Sequence, residues 1–208
     1  MDRCRCLLTQ EELKRATKFF KPQDAERFIL CRALLRQILG DYLTADPAVL
    51  SFEHNGNGKP FLADEELEFN VSHSRDRLLI AVTSGRAVGV DIEFRRSGIN
   101  MNAIATRWFA PEERDFFQSL PALSSVERET PEYAFFDIWT KKEAYVKALG
   151  IGIFKEMADF AVPLGNTPGV PMIGKNEEWF FQTLEIDPAY AASVVSKSPA
   201  VPVRLRTL

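Results

Sequence analysis

Asp91 and Glu93 alternate with Val90 and Ile92 in the run Gly89-Val90-Asp91-Ile92-Glu93. On a strand, residues two apart share a face, so the two carboxylates project together while the aliphatic side chains point the other way. Their Cα atoms would stand about 6.6 Å apart at a rise of ~3.3 Å per residue, within reach of one cation. Gly89, one pleat earlier on the same face, would leave room for a ligand. Further along, Trp139-Thr140-Lys141-Lys142-Glu143-Ala144-Tyr145-Val146-Lys147 reads as helix and stacks Glu143 over Lys147 at i and i+4. Carboxylates from two elements, with lysines beside them, suit a magnesium ion gripping a phosphate ester or anhydride.

Each piece also has a plainer reading. An Asp-x-Glu pair on a strand is commonly solvated or salt-bridged, and a surface Glu143–Lys147 pair would contribute only ~0.2–0.5 kcal/mol. Two features favour a site. Val90 and Ile92 argue for a buried strand, where acidic groups need a counter-charge. The helix is apolar over most of its circumference, so its polar strip (Asp137, Lys141, Lys142, Glu143, Lys147) would line a cleft. Phe69-Asn70-Val71-Ser72-His73-Ser74 could end a strand as a phosphate cradle of hydroxyl, imidazole and amide donors, or as a turn with Ser74 bonding the local backbone. Gly58-Lys59-Pro60 is a turn with a solvated lysine, or a close backbone approach with one cation. Arg27, Arg32 and Arg36 read as a solvated helix face, from which Arg27 could reach a phosphate.

The elements that must position these groups follow from periodicity and breakers. Asp24 to Leu39 reads as a helix with Phe28, Cys31, Leu35 and Ile38 on one stripe and Gly40 as its stop. Strands are expected around 50–53, 67–72, 78–83 and 87–93, with Asn55-Gly56-Asn57-Gly58 and Ser84-Gly85 as turns. Helices follow at about 101–108 and 111–120, the second with Pro111 in its first turn and Glu112 and Glu113 near its positive end. A polar loop spans 121–131, and the longest helix covers 132–149, ended by Gly150 and Gly152. Strands return around Phe160, 179–186, 190–196 and 201–206, with a Pro/Gly-rich separator at 163–174. This order is an α+β pattern and hints at two similar halves.

The 208 residues allow one large or two small packed domains, and 46% apolar residues with sixteen phenylalanines can fill a core. A net charge of −3 gives no support to a general nucleic-acid binder. Cys4, Cys6 and Cys31 show neither a disulfide framework nor zinc spacing, which suits reduced thiols in the cytoplasm. Neither a signal peptide nor an apolar run of membrane-spanning length is read, so no membrane partner is expected.

Taken in order, Gly58-Lys59-Pro60, Phe69 to Ser74, Gly89 to Glu93, Arg107-Trp108-Phe109 with Glu113, and Trp139 to Lys147 resemble the 4'-phosphopantetheinyl transferases of the larger, surfactin-synthetase-activating type. The resemblance covers about Asp24 to Gly152. It implies an α+β pseudo-dimer, with an N-terminal half at 1–105 and a C-terminal half at 106–208, and coenzyme A between them. It implies a monomer that moves 4'-phosphopantetheine from coenzyme A to a serine of an acyl, peptidyl or aryl carrier protein. By the same resemblance Asp91, Glu93 and Glu143 would hold Mg²⁺, and Asp91 would also meet the coenzyme pyrophosphate. Arg27, Ser72 and His73 would handle the 3'-phosphate region, with Lys59 and Pro60 in the coenzyme pocket. Lys142 and Lys147 would touch the pyrophosphate or pantetheine arm, Lys147 would also serve catalysis, and Glu113 or Glu143 would take the serine proton. Arg107, Arg114, Lys141 and Lys142 are candidates for an acidic carrier's landing patch.

Two other readings stay open from the residues alone. A metal-dependent glycosyltransferase could use Asp91 and Glu93 on a nucleotide-sugar pyrophosphate, although this leaves Lys142, Glu143 and Lys147 without a role. A non-catalytic module could keep the fold and dock carriers unmodified, although all three acidic groups are present.

Overall fold

The computed structural model describes residues 1–63, 66–121, 126, 130–152, 157–165, 171–174 and 177–197. Two compact units are present, one of Met1–Glu53 with Leu62–Asp64, the other of His54–Phe61 with Glu65–Leu208. Helices and antiparallel strands make an α+β protein, as the residue pattern indicated.

The first unit holds α1 (Asp2–Arg5), α2 (Gln10–Ala16) and α3 (Pro22–Leu43). Thr9 and Glu12 form a reciprocal capping box at the start of α2. Glu12 then meets Arg36 of α3 at 2.9 Å, and the same guanidinium donates to the carbonyls of Pro47 and Leu50. Arg36 is thus a wholly buried tie, and Arg32 also pairs with Glu12, so neither belongs to a solvated face. Ile29, Ala33, Leu35 and Leu39 supply the helix's buried side. Gly40 does not stop α3. The helix runs on to Leu43, and Thr44 ends it in the left-handed region at φ 53°. Gly40 is glycine because a Cβ there would sit 2.8 Å from the Ala45 carbonyl oxygen and 2.9 Å from Pro47 Cγ.

The chain passes between the units within β1 (Phe52–His54) and β2 (Pro60–Leu62). In the second unit, β3 (Leu67–Ser74) and β4 (Arg77–Ser84) form one antiparallel sheet. β5 (Val88–Phe94), β8 (Tyr190–Lys197), β7 (Glu177–Thr183) and β6 (Pro171–Gly174) form another in that spatial order. Gly89, Asp91 and Glu93 of β5 pair with Val195, Ser193 and Ala191 of β8. Helices α4 (Met101–Trp108), α5 (Pro111–Ser119) and α6 (Pro131–Leu149) complete the unit.

The two sheets meet through side chains rather than a backbone ladder. Asn70 Oδ1, Ser72 Oγ and Ser74 Oγ on β3 accept hydrogen bonds from the backbone N–H groups of Val90, Ile92 and Phe94 on β5. The period of two places all three on one face of β3, and each bond is worth about 0.5–1.5 kcal/mol. Val90 and Ile92 fill a small core with Leu184, Tyr190 and Ala192. The opposite face of β5 receives α6, whose Phe135, Phe136, Ile138 and Tyr145 join Phe109, Phe117, Trp179 and Phe181 in the main core.

Gly89 explains how closely α6 approaches. A Cβ at that position would lie 1.9 Å from the Ala144 carbonyl oxygen and 2.5 Å from the Ala148 nitrogen. The room attributed to a ligand is therefore filled by the helix backbone. No strand forms at Phe160. Residues 160–164 carry no regular structure, and side chains of α6 and α5 take up their backbone groups instead. The strand expected at 201–206 and most of the 121–131 loop lie outside the described residues.

Gly89→Ala should destabilise the second unit by about 3 kcal/mol or more, because backbone on both sides cannot yield cheaply. Denaturant unfolding measures this, and a midpoint equal to wild type would mean α6 does not rest on β5 as described.

Candidate active site on strand β5 and helix α6

The close packing at Gly89 sets the last two turns of α6 over the acidic face of β5. Lys147 Nζ donates to Asp91 Oδ1 at 2.6 Å, to Ser72 Oγ at 2.9 Å and to the Val90 carbonyl at 3.4 Å. Ser72 donates its own hydroxyl hydrogen to Asp91 Oδ1 at 2.7 Å. Asp91, Ser72 and Lys147 thus form one hydrogen-bonded group from three elements. Ser74 donates to Glu93 Oε2 at 3.2 Å, repeating the serine–carboxylate contact one pleat further along.

Glu143, one turn before Lys147, is 7% exposed and sits in the field of this group. Burial, and next the Asp91 charge, push its carboxyl up to about 7, against the pull of Lys147. Glu93 is also raised, by burial first and by Asp91 second. The charge of Asp91 thus acts on both Glu93 and Glu143, and Glu93 adds a smaller push at Glu143. Asp91 Oδ2 is buried and has no hydrogen-bond partner, an arrangement that costs free energy unless a cation or donor meets it. Among the described residues, no three carboxylate, imidazole or thiol groups stand close enough to form a finished ligand set. In chemistry the donors fit a hard divalent cation: all are carboxylate oxygens, their like charges repel, and one oxygen lacks any partner.

The helix's other polar residues do not line a cleft. Lys142 is fully buried and meets Glu113 at 2.7 Å, while also donating to the Phe160 carbonyl at 2.6 Å. Glu113 accepts from the Ala110 amide through Oε2 and from the Val162 amide through Oε1, so both oxygens are occupied. Burial raises Glu113 and lowers Lys142, with each partner's charge opposing that trend. Lys141, 2% exposed, points another way and donates to Asp137 and to the carbonyls of Pro163 and Gly165. The two adjacent lysines bind the 160–165 segment from both sides and are not a landing patch for a carrier. Arg107 stacks on Trp108, and Arg114 reaches the Thr106 carbonyl.

Lys59 Nζ donates to the Ala148 carbonyl at the end of α6 and to the Val88 carbonyl at the start of β5. Pro60 follows it as the first residue of β2. His73 is exposed, and strand alternation turns it away from Ser72. Arg27 belongs to the first unit, where it stands 3.7 Å from Asp24 on the exposed start of α3.

A family profile described as the 4'-phosphopantetheinyl transferase superfamily matches residues 87–195, a stretch holding β5, α6 and this carboxylate cluster. The chain belongs to that superfamily. A second profile, 4'-phosphopantetheinyl transferase, N-terminal, matches residues 2–85. The chain is 40% identical to 4'-phosphopantetheinyl transferase HetI of Nostoc sp. over 71% of its length and 62% of that relative. It is 37% identical to a putative 4'-phosphopantetheinyl transferase of Synechocystis sp., over 71% of the chain and 58% of that relative. The alignments thus span less than two thirds of these two relatives. To 4'-phosphopantetheinyl transferase psf-1 of Bacillus pumilus it is 33% identical, over 91% of the chain and 83% of the relative.

Within the transferase fold, reasoning from residues alone missed two things. The shared face of Asn70, Ser72 and Ser74 was visible as a period of two, yet its partner strand was not. The Asp137–Lys141 pair was visible as i, i+4, but its enclosure depended on loop carbonyls distant in sequence.

Two outcomes test this site. Glu143 keeps its proton to about pH 7 in the folded state, against 4.5 for the free group. Between those values the folded chain holds a proton that the unfolded chain has lost, so Glu143's contribution to stability falls as pH rises through that window. In urea titrations without divalent cations, wild-type stability relative to Glu143→Gln should fall from pH 4.5 to 7, and parallel curves would contradict this. Lys142→Ala should cost about 3–5 kcal/mol by leaving Glu113 buried without its counter-charge. Thermal or denaturant unfolding within 1 kcal/mol of wild type, on the order of an exposed pair, would overturn the enclosed geometry.

Proposed function

We propose that this chain transfers 4'-phosphopantetheine from coenzyme A to a serine of an apo carrier protein and releases adenosine 3',5'-bisphosphate. The observation that carries the proposal is the unpartnered, buried Asp91 Oδ2 beside Lys147 and Glu143, in the stretch that matches the superfamily. The serine oxygen forms a bond to the β-phosphorus, the bond from that phosphorus to the bridging oxygen breaks, and the nucleotide leaves with the electron pair. Asp91, Glu93 and Glu143 would hold Mg²⁺, which when bound neutralises charge on the pyrophosphate.

Lys147 approaches the phosphates as a fixed cation, oriented by Asp91 and Ser72, and stabilises charge that develops on transfer. Of the two carboxylates considered as proton acceptor, Glu143 is favoured. Glu113 has no exposure and no oxygen left over, so it and Lys142 act at a remove by holding the 160–165 segment. Lys59, Pro60, Ser72 and His73 are proposed along the nucleotide's path, Ser72 through its bond to Lys147. Arg27 is assigned to the 3'-phosphate by resemblance alone. The partners are acidic acyl, peptidyl or aryl carriers, and the setting proposed is cytoplasmic, which reduced Cys4, Cys6 and Cys31 would suit. Among the described residues no helix is long and apolar enough to cross a membrane. A division of the chain into halves near residue 105 belongs to the same proposal.

Intact-mass measurement of an apo carrier incubated with coenzyme A and Mg²⁺ should show the added phosphopantetheine. Asp91→Asn should cut the rate by about 10²–10³-fold while leaving the fold intact, as loss of one preorganised charge does. Transfer to none of several apo carriers, or full activity of Asp91→Asn, would refute the reading.

A further inference from the structure

The C-terminal end of α6 is held by a turn distant in sequence. Asn55 and Asn57 each donate a side-chain amide to the Gly150 carbonyl, at 2.9 and 3.0 Å. Asn55 Oδ1 folds the turn itself by accepting from the backbone amides of Asn57 and Lys59, at 3.0 and 2.9 Å. Lys59 Nζ then takes the Ala148 carbonyl, and the Gly150 amide closes onto the carbonyls of Val146 and Lys147. The last carbonyls of a helix have no partner within it; here the turn takes those of Ala148 and of the capping Gly150, whose amide takes those of Val146 and Lys147. Gly150 has φ 66°, and a Cβ on it would lie 2.8 Å from Asn55 Nδ2, so the fit is tight on both sides. Lys147 lies in this last turn, one helical turn beyond Glu143.

We propose that Asn55 and Asn57 are positioning residues, clamping the end of α6 so that Lys147 stays on Asp91 and Ser72. The proposal rests on the transferase reading above and deepens it. The same turn carries Lys59 and Pro60, proposed nucleotide contacts, so the clamp joins the nucleotide-facing segment to the helix that carries Glu143 and Lys147. Helix ends fray when their carbonyls lose partners, and displacement of a reacting group by about 1 Å can cost up to ~100-fold in rate.

The test separates clamp from turn. Asn55→Asp keeps the oxygen that folds the turn and removes the donor to Gly150, and Asn57→Ala removes the second donor. In the double variant kcat should fall about 10- to 100-fold, while KM for coenzyme A stays within about twofold. Amide hydrogen exchange at 147–150 should quicken, with β5 and β8 unchanged. An active wild type beside a double variant of unchanged kcat, or one altered in KM alone, overturns the positioning role by itself. A wild type that transfers nothing to any apo carrier overturns the transferase reading and this role together. Should the double variant fail to fold, Asn55→Asp alone is judged by the same kcat and KM split.

Discussion

The absence of a side chain at Gly89 is the constraint on which the site depends. Only a bare backbone lets α6 lie with the Ala144 carbonyl where a Cβ would otherwise stand. That approach fixes the helix's rotation and height over β5. It places Lys147 on Asp91, sets Glu143 in the Asp91 field, and lets Thr140 meet Ser193 at 2.9 Å on the neighbouring strand. The carboxylates and the ammonium are therefore brought together by main-chain packing and not by their own attraction, which desolvation would largely offset.

Much of this was legible in the order of residues. The alternation from Gly89 to Glu93 assigned Asp91 and Glu93 to one face, and α6 runs from Pro131 to Leu149 much as its breakers indicated. What periodicity could not supply was partner identity. Lys141 and Lys142 read as the lining of a cleft, and Glu113 as an acid at the positive end of its helix. They are enclosed because Phe160, Val162, Pro163 and Gly165 offer backbone groups that need partners, and nothing local announces that demand. Gly40 misled for a related reason. A glycine inside a helical pattern reads as a stop, yet here it permits contact with Ala45 and Pro47.

The lysines of α6 divide the helix into regions with different duties. Lys141 and Lys142 secure irregular chain, each saturated by carboxylate and carbonyl acceptors. Lys147 is the member left partly open, with its side chain 26% exposed. Charge of one sign on one helix thus secures packing at one level and, about one and a half turns later, stands partly open beside Asp91. Local acceptor supply, not residue type, decides which.

The side-chain junction between β3 and β5 has a further consequence for how the chain behaves in company. A strand flank with free N–H groups is a template onto which another polypeptide can add itself. On β5 those groups at Val90, Ile92 and Phe94 are already answered by Asn70, Ser72 and Ser74. The strand that bears the acidic cluster is therefore shielded from β-addition and self-association along that flank, and it needs no further backbone neighbour, charge or proline there to be so.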